Sequence, residues 1–424
     1  MLSSLRQHAM TGHQPHVAII GGSYAGVSAV QNMLGLLQGR GIRPSPIPQR
    51  VPELLPDIKP RITILDRRDG FFHTMGSPLA LTSRTYAEKA WQAYRDLPSF
   101  TNGGVNVVHG EATNVNMKDK IITYDSQGTE CGDARQEMPY DYLIVTTGLG
   151  RTWPIAPVHS KKYEYLGHVE RYSQELNKTK GPIIVVGGGA VGVEMAAEIA
   201  VACPSKKVIL VHSRLELLSS EPLSSEYKQK VQKLLSTNVE VHLGGRVARQ
   251  ETISSDADKP TERLTLLTGE VLDAGKVIWC GTKPAPNTQF LPADCLNGEG
   301  YVKVKSDLSF ASDAPNSGDH FAAGDIAAWD GMKSVGGALL MGQCAAINII
   351  GQLGMATQQG KGGHFVPAEL PPFPLMMALA VGGEAASVDM SGSVDSGRHI
   401  QEMFFGNDLA LTKTRELLGL SGEE

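Results

Sequence analysis

The chain has 424 residues, with 39 Lys plus Arg against 44 Asp plus Glu and a formal charge of −5. At roughly 150 residues per domain this is room for two to three domains. The slight acidic excess argues against a nucleic-acid partner, and the 41% apolar content excludes a wholly disordered chain. Glycine is over-represented: 47 residues is about 11% of the chain against an average near 7%. That much glycine implies a backbone that approaches something closely.

The first ten residues, MLSSLRQHAM, are too short and too weakly charged for a transit peptide, and position 2 is Leu, so there is no myristoylation signal. From His16 a β-branched run leads into Gly21-Gly22-Ser23-Tyr24-Ala25-Gly26 and then a helical apolar pattern, which predicts strand, tight turn and helix. The six prolines of segment 40–60 predict an inserted surface loop. A second strand follows over 61–66 and ends in Asp66. Its distance from Gly26 exceeds the usual ~20 residues, and the proline-rich insertion accounts for the excess. A strand-end carboxylate in that place accepts hydrogen bonds from an adenosine ribose; the alternative is a solvated Asp.

Residues 141–148, DYLIVTTG, predict a further strand with a small-residue turn. The strand-turn-helix unit then recurs at PIIVVGGGAVGVEMAAEIAVAC, with a complete GxGxxG at Gly187, Gly189 and Gly192. In such a loop the glycines allow a tight turn, close approach to a pyrophosphate and close helix packing, while the helix N-terminus offers N–H groups to the anion. In the first cluster Ser23 stands where the middle glycine would be; it keeps its N–H, and its hydroxyl can add a phosphate contact. The strand after the second cluster ends in His212-Ser213-Arg214, with no carboxylate. Because an acid there repels a 2′-phosphate and Arg pairs with it, the sequence admits NADPH as well as NADH. Arg214 as an ordinary surface charge is equally compatible with the sequence.

Residues 276–288, KVIWCGTKPAPNT, repeat the pattern of 141–148, a strand ending in a small-residue turn, and the acidic, Ser-rich segment 251–263 predicts a hairpin loop. Phe321-Ala322-Ala323-Gly324-Asp325 is a third strand-turn element. Gly336-Gly337 then open an uncharged run from Val335 to Ala356 that is long enough to span a bilayer. Its Gln343, Asn348, Gln352 and five glycines favour a buried helix over a membrane span. Five cysteines (131, 203, 280, 295 and 344) show no CxxC or zinc spacing, the histidines form no metal pair, and no metal site is expected.

The motif order resembles the flavoproteins with two dinucleotide-binding domains, which include glutathione-reductase-like enzymes, type II NADH dehydrogenases and apoptosis-inducing-factor relatives. Within them, residues 183–214 are most similar to the ferroptosis-suppressor-like members of the apoptosis-inducing-factor branch. The resemblance implies an α/β fold with two Rossmann-like dinucleotide-binding domains and a smaller C-terminal α+β domain. The expected boundaries are 14–148 plus 276–360 for the FAD domain, 149–275 for the NAD(P)H domain and 361–424 for the C-terminal domain. It implies FAD held by Gly21, Gly22, Ser23, Tyr24, Ala25, Gly26, Asp66, the backbone near Ala112, Thr147, Gly148, Gly324 and Asp325. It also implies NADH or NADPH over Gly187, Gly189 and Gly192, with Arg214 at the far ribose and Glu194 near the carboxamide; the alternative for Glu194 is a first-turn acid favoured only by the helix dipole. Family members of this branch pass electrons from NAD(P)H through FAD to quinones.

The segment Phe71 to Pro78, where disulfide reductases carry CxxC beside the flavin, has no cysteine, so disulfide reduction is excluded. His73 within it is open to two readings, a group approaching the flavin or acceptor and a packed core histidine; no other catalytic side chain is assigned. The expected partners are a quinone or other small apolar electron acceptor, a membrane surface touched peripherally by the C-terminal domain (371–383 and 403–405), and a second copy of the chain. The expected location is the cytoplasm, with or without that peripheral contact. A slowly turning-over redox sensor that binds a partner, and a biosynthetic oxidoreductase acting on one specialised metabolite, are the competing readings.

Overall fold

The computed structural model describes residues 13–44, 52, 55–56, 59–127, 135–254, 260–281, 284–357 and 365–421. The N-terminal decapeptide, most of the proline-rich segment, Cys131, and residues 255–259 and 358–364 lie outside these.

Two parallel sheets carry the molecule. The first has seven strands, with Val105–Asn116, Arg61–Asp66, His16–Ile20, Tyr142–Val145 and His320–Ala322 forming its parallel body. Two antiparallel strands, Ile121–Ser126 and Arg135–Pro139, extend it at one edge. The strands of the body read as continuous aliphatic runs because both faces are covered; Val17, Ile19, Ile64, Leu143 and Ile144 are fully buried. The second sheet has four parallel strands, Glu240–Leu243, Val208–His212, Ile183–Val186 and Lys276–Trp279.

The expected boundary at residue 276 is therefore corrected. Lys276–Trp279 pairs with Ile183–Val186 in the second sheet, and the chain returns toward the first only after Cys280. An antiparallel three-stranded layer, Val247–Thr252, Glu262–Leu266 and Val271–Ala274, covers one face of the second sheet; the middle of the acidic Ser-rich segment, where a hairpin loop was expected, lies outside the described residues. The C-terminal part is a three-stranded antiparallel sheet, Met377–Val381, Glu384–Val388 and Val394–Gly397, followed by helices Arg398–Phe404 and Leu411–Leu418.

The uncharged run forms the helix Val335–Thr357. It is the one described helix long and apolar enough to cross a membrane, yet 83% of its apolar window is buried inside the protein. Its polar residues serve internal bonds: Asn348 Nδ2 donates to the carbonyls of Asp307 (2.8 Å) and Ala368 (2.9 Å), and Gln343 Nε2 donates to that of Arg43 (2.7 Å). Its glycines permit close packing. A Cβ on Gly342 would stand 2.2 Å from the carbonyl oxygen of Ala25, and one on Gly351 would enter the ring of Phe365. The glycine at 351 thus has a packing reason that no cofactor supplies.

Candidate functional site

Both glycine clusters lie where a parallel strand ends and a helix begins, Tyr24–Leu37 after the first and Ala190–Ala202 after the second. The two loops are built alike. Gly21 has φ +102° and Gly187 φ +121°, in the left-handed region that favours glycine. A Cβ on Gly26 would come within 2.0 Å of the Gly21 carbonyl oxygen, and one on Gly192 within 1.8 Å of that of Gly187. A Cβ on Gly189 would meet nothing within 4 Å, so the middle of the second loop faces open space above the helix N-terminus. Ser23 holds the same position in the first loop, and its hydroxyl makes no capping bond.

Each loop is fastened to the end of the neighbouring strand. The Gly22 N–H donates to Asp66 Oδ2 at 2.5 Å, and the Gly188 N–H donates to His212 Nδ1 at 3.0 Å. Asp66 is buried and also accepts from the Arg68 N–H at 2.7 Å. Tyr94 Oη donates to the Gly22 carbonyl at 2.7 Å, and Thr146 Oγ1 donates to that of Gly21 at 2.6 Å.

The two sheets are joined by the small-residue turns that end their strands. Thr147 Oγ1 donates to the Asn287 carbonyl (2.7 Å) and Asn287 Nδ2 returns a bond to that of Thr147 (3.0 Å). The Asn287 N–H donates to the Gly148 carbonyl (3.0 Å) and the Gly150 N–H to that of Ala285 (2.8 Å). The outgoing and returning connections are thus zipped into one ribbon.

Just past this ribbon stands Arg151, which the sequence reading did not single out. Its Nη2 lies 3.5 Å from Asp325 Oδ2, and its charge also acts on Glu194 and on Tyr24. Asp325 follows Gly324 (φ +81°), whose α-carbon faces Ala25 of the first loop and Ala338 of the long helix. Gly21 to Gly26, Asp66, Thr147-Gly148 and Gly324-Asp325 therefore form one cluster. Ala112 lies at a bulge where the pairing with Tyr124 shifts register before Asn114, three residues past the His109 that pairs with Asp66.

In the second cluster Glu194 stands one turn into its helix, close to Ala380 of the C-terminal sheet. Burial, reinforced by the nearby Glu198, pushes its carboxyl up to about 8; burial also pushes Glu198 up. Arg214 is exposed at the rim.

His73 does not line an open cavity. It is fully buried, its Nε2 donates to the Leu409 carbonyl at 2.9 Å and its Nδ1 accepts from Tyr24 Oη at 3.2 Å. Leu409 and Ala410 both have positive φ, +47° and +62°, and Tyr86 Oη holds the adjacent Asp408 carbonyl at 2.8 Å. The ring is thus a strut between the first glycine helix and a strained C-terminal turn, and the reading of His73 as a group approaching flavin or acceptor is replaced by the packed one. Burial lowers the pKa of His73, and likewise of buried His320, to about 4. The folded state binds fewer protons on these rings than the unfolded one, so their contribution is intact above about pH 6.5 and is lost as pH falls from there toward 4. The urea midpoint should therefore drop between pH 7 and pH 5, and His73→Gln should flatten that drop while lowering stability at pH 7 by about 1–3 kcal/mol through the unpaired partners it leaves.

The four described cysteines are free, and burial pushes the Cys280 and Cys344 thiols up to about 12, so neither is a thiolate at neutral pH.

Residues 15–360 match the pyridine nucleotide-disulphide oxidoreductase family. The chain belongs to that family. It is an oxidoreductase of the NAD(P)H-dependent flavin type, without a described disulfide. Among family relatives, oxidoreductase OXR1 of Ajellomyces capsulatus is 39% identical over 93% of this chain and 85% of its own. Ferroptosis suppressor protein 1 of Xenopus tropicalis is 26% identical over 95% and 96%. Among solved structures, the sulfide:quinone oxidoreductase of Aquifex aeolicus superposes with a TM-score of 0.65 at 15% identity, covering 95% of this chain and 92% of that one. The engineered water-forming NADPH oxidase bound to NADPH, derived from the Lactobacillus brevis enzyme, superposes with a TM-score of 0.61 at 16% identity, covering 88% and 74%. The family's Rossmann-like α/β arrangement is the one seen here, with one glycine loop at the C-terminal end of a strand in each parallel sheet.

Proposed function

We propose that the chain binds FAD in the first glycine cluster and NAD(P)H in the second, and passes two electrons from the nicotinamide to a quinone-type acceptor. The observation that carries this reading is the pair of equivalent glycine cradles joined through the Thr147–Asn287 ribbon, with Arg151 just past that ribbon facing Asp325 of the first. When bound, FAD supplies the two-electron chemistry, and the protein supplies position and electrostatics.

The fit of the residues to the two nucleotides rests on the open face above Gly189, the glycines that admit no Cβ at 26 and 192, and the helix N-termini behind both loops. Gly324-Asp325 and the first turn of Val335–Thr357 bring an acid and a helix N-terminus beside the first loop. Ser334 Oγ caps that turn by accepting the Gly337 N–H at 3.1 Å, and Phe373 lies over Gly331 and Gly337 to close its side. A quinone-type acceptor is favoured by the absence of a cysteine pair between Phe71 and Pro78. Leu375, Met376, Met403 and Phe404 are partly exposed on the C-terminal part, offering apolar surface.

Anaerobic mixing of flavin-loaded protein with NADPH should bleach the flavin, and a short-chain quinone should restore its colour. An unchanged spectrum with both NADH and NADPH rejects the reading, and bleaching without reoxidation by any quinone rejects the acceptor. Glu194 is still largely protonated at pH 7, so Glu194→Gln should reduce the flavin at close to the parent rate there. It should also lose the pH dependence that the parent shows around pH 8. Glu194→Ala should slow reduction about tenfold, a loss of about 1.4 kcal/mol. Stopped-flow traces from pH 6 to 9 separate the two.

A further inference from the structure

A line of oxidisable rings runs from the first cradle to the surface. Tyr24 stands in the first glycine loop, at the start of its helix, and its Oη donates to His73 Nδ1 at 3.2 Å. His73 and Tyr86 both close on Gly76: a Cβ there would meet Tyr86 Oη at 2.0 Å and His73 Cδ2 at 2.8 Å. Tyr86 shares one buried cluster with Trp91 and Tyr165, whose rings tilt together at a centroid distance of 5.3 Å. Trp153 meets Tyr165 edge to face at 6.4 Å, and its ring lies nearly flat on that of His168, 3.9 Å away at 14°. Trp91 and Tyr165 are buried whereas Trp153 and His168 are half-buried, so the line opens to solvent at its far end.

Packing explains a cluster of rings but not where their protons point. Loss of one electron turns a phenol or an indole into a strong acid, so a ring passes an electron readily where a base can take its proton. Two rings of the line have such a base. The His73 Nε2–H is committed to the Leu409 carbonyl at 2.9 Å, which leaves the Nδ1 lone pair facing the Tyr24 hydroxyl. Trp91 Nε1 donates to Asp69 Oδ1 at 2.8 Å. At the exit, burial and the neighbouring His159 hold the His168 pKa below its ordinary value, so the ring stacked on Trp153 is mostly neutral at pH 7 and does not repel a positive charge there.

We propose that Tyr24, Tyr86, Trp91, Tyr165 and Trp153 form a path that carries a one-electron oxidising equivalent from the first cradle to the surface. The proposal rests on the reading of that cradle as the flavin site, and adds an outlet for the radicals that arise when hydrogen peroxide meets the reduced cofactor. One electron from the cofactor cleaves the peroxide to hydroxide and a hydroxyl radical. Tyr24 gives that radical an electron, making a second hydroxide, while its phenolic proton moves to His73 Nδ1. The hole on Tyr24 is refilled from Tyr86, then from Tyr165 or from Trp91, whose proton rests on Asp69, and last from Trp153; each proton returns as its ring is refilled. A dissolved thiol gives Trp153 its electron and releases a proton, so the path converts hydroxyl radical and thiol into water and thiyl radical.

The test uses the flavin-loaded protein and two readouts. Anaerobic blue light makes bound FAD a one-electron oxidant without peroxide, and transient absorption should then show a tryptophan radical. Trp153→Phe should shorten the charge-separated state about tenfold and Trp153→Tyr should restore it, although both keep an aromatic ring in place. During turnover with NADPH and hydrogen peroxide, peptide mapping should find oxidation concentrated at Trp153. Trp153→Phe should move it inward to Trp91 and Tyr165, while Trp279→Phe, off the line, changes neither readout. Equal lifetimes in the parent and Trp153→Phe, a Tyr variant no better than Phe, or oxidation spread over exposed residues such as Trp279 and Met403 overturns the path and leaves the cradle reading standing. A protein that takes up no FAD overturns both.

Discussion

Gly26→Ala should yield a folded protein that purifies without flavin. The added Cβ would sit 2.0 Å from the Gly21 carbonyl oxygen, a distance no real Cβ contact reaches, and the obstacle is backbone rather than a side chain that can swing aside. The helix Tyr24–Leu37 cannot retreat, because the long helix is pressed against its first turn. Ser28 Oγ donates to the Leu339 carbonyl at 2.6 Å, and Gly342 already lies at a glycine-only distance from the Ala25 carbonyl. The strain must open the Gly21–Gly26 loop, and a spread loop no longer directs its N–H groups at one anion. FAD affinity should fall at least about a hundredfold, about 2.7 kcal/mol, while overpacking costs the fold about 1–3 kcal/mol. The ratio of flavin to protein absorbance reads the first effect and a denaturant midpoint the second. A variant as yellow as the parent would remove the first cluster from the flavin site.

Gly192→Ala should separate the two half-sites. Its Cβ would stand 1.8 Å from the Gly187 carbonyl oxygen, so the second loop should spread as the first does. That loop belongs to the four-stranded sheet and makes no hydrogen bond to the first loop. The protein should therefore keep its flavin and its visible spectrum, yet its reduction by NADPH at subsaturating concentration should slow at least about a hundredfold, again about 2.7 kcal/mol. Titrating FAD into the apoprotein and following anaerobic reduction by stopped flow tests both halves. Loss of flavin along with reduction would show that the loops do not act separately.

Local patterns carried much of this. Strand, glycine loop and helix are contiguous in sequence, so Gly21–Gly26 and Gly187–Gly192 announce themselves. The strand over 61–66 was legible with its bounds, because its β-branched run is framed by proline and by Asp66. The uncharged run was legible as a buried helix from its Gln and Asn residues, of which Gln343 and Asn348 find partners inside the protein.

The less legible residues act across the chain. Arg151 follows a turn with no motif of its own, and its importance comes from Asp325 and Glu194, which only folding brings near. His212 could be seen only as a missing acid, since its bond to the Gly188 N–H depends on how two strand ends meet. His73 was undecided for a similar reason: its partner, the Leu409 carbonyl, lies at the other end of the chain.

The sequence by itself determined that the protein has two glycine cradles on parallel sheets, because a tight turn that must admit a pyrophosphate leaves a contiguous trace of glycine between an aliphatic strand and an apolar helix. The tertiary structure decided which sheet claims Lys276–Trp279, that His73 is a strut, and which cations surround each cradle. Charge and hydrogen bonding act through space at a few ångströms, so their partners are set by packing and leave no periodic mark along the chain.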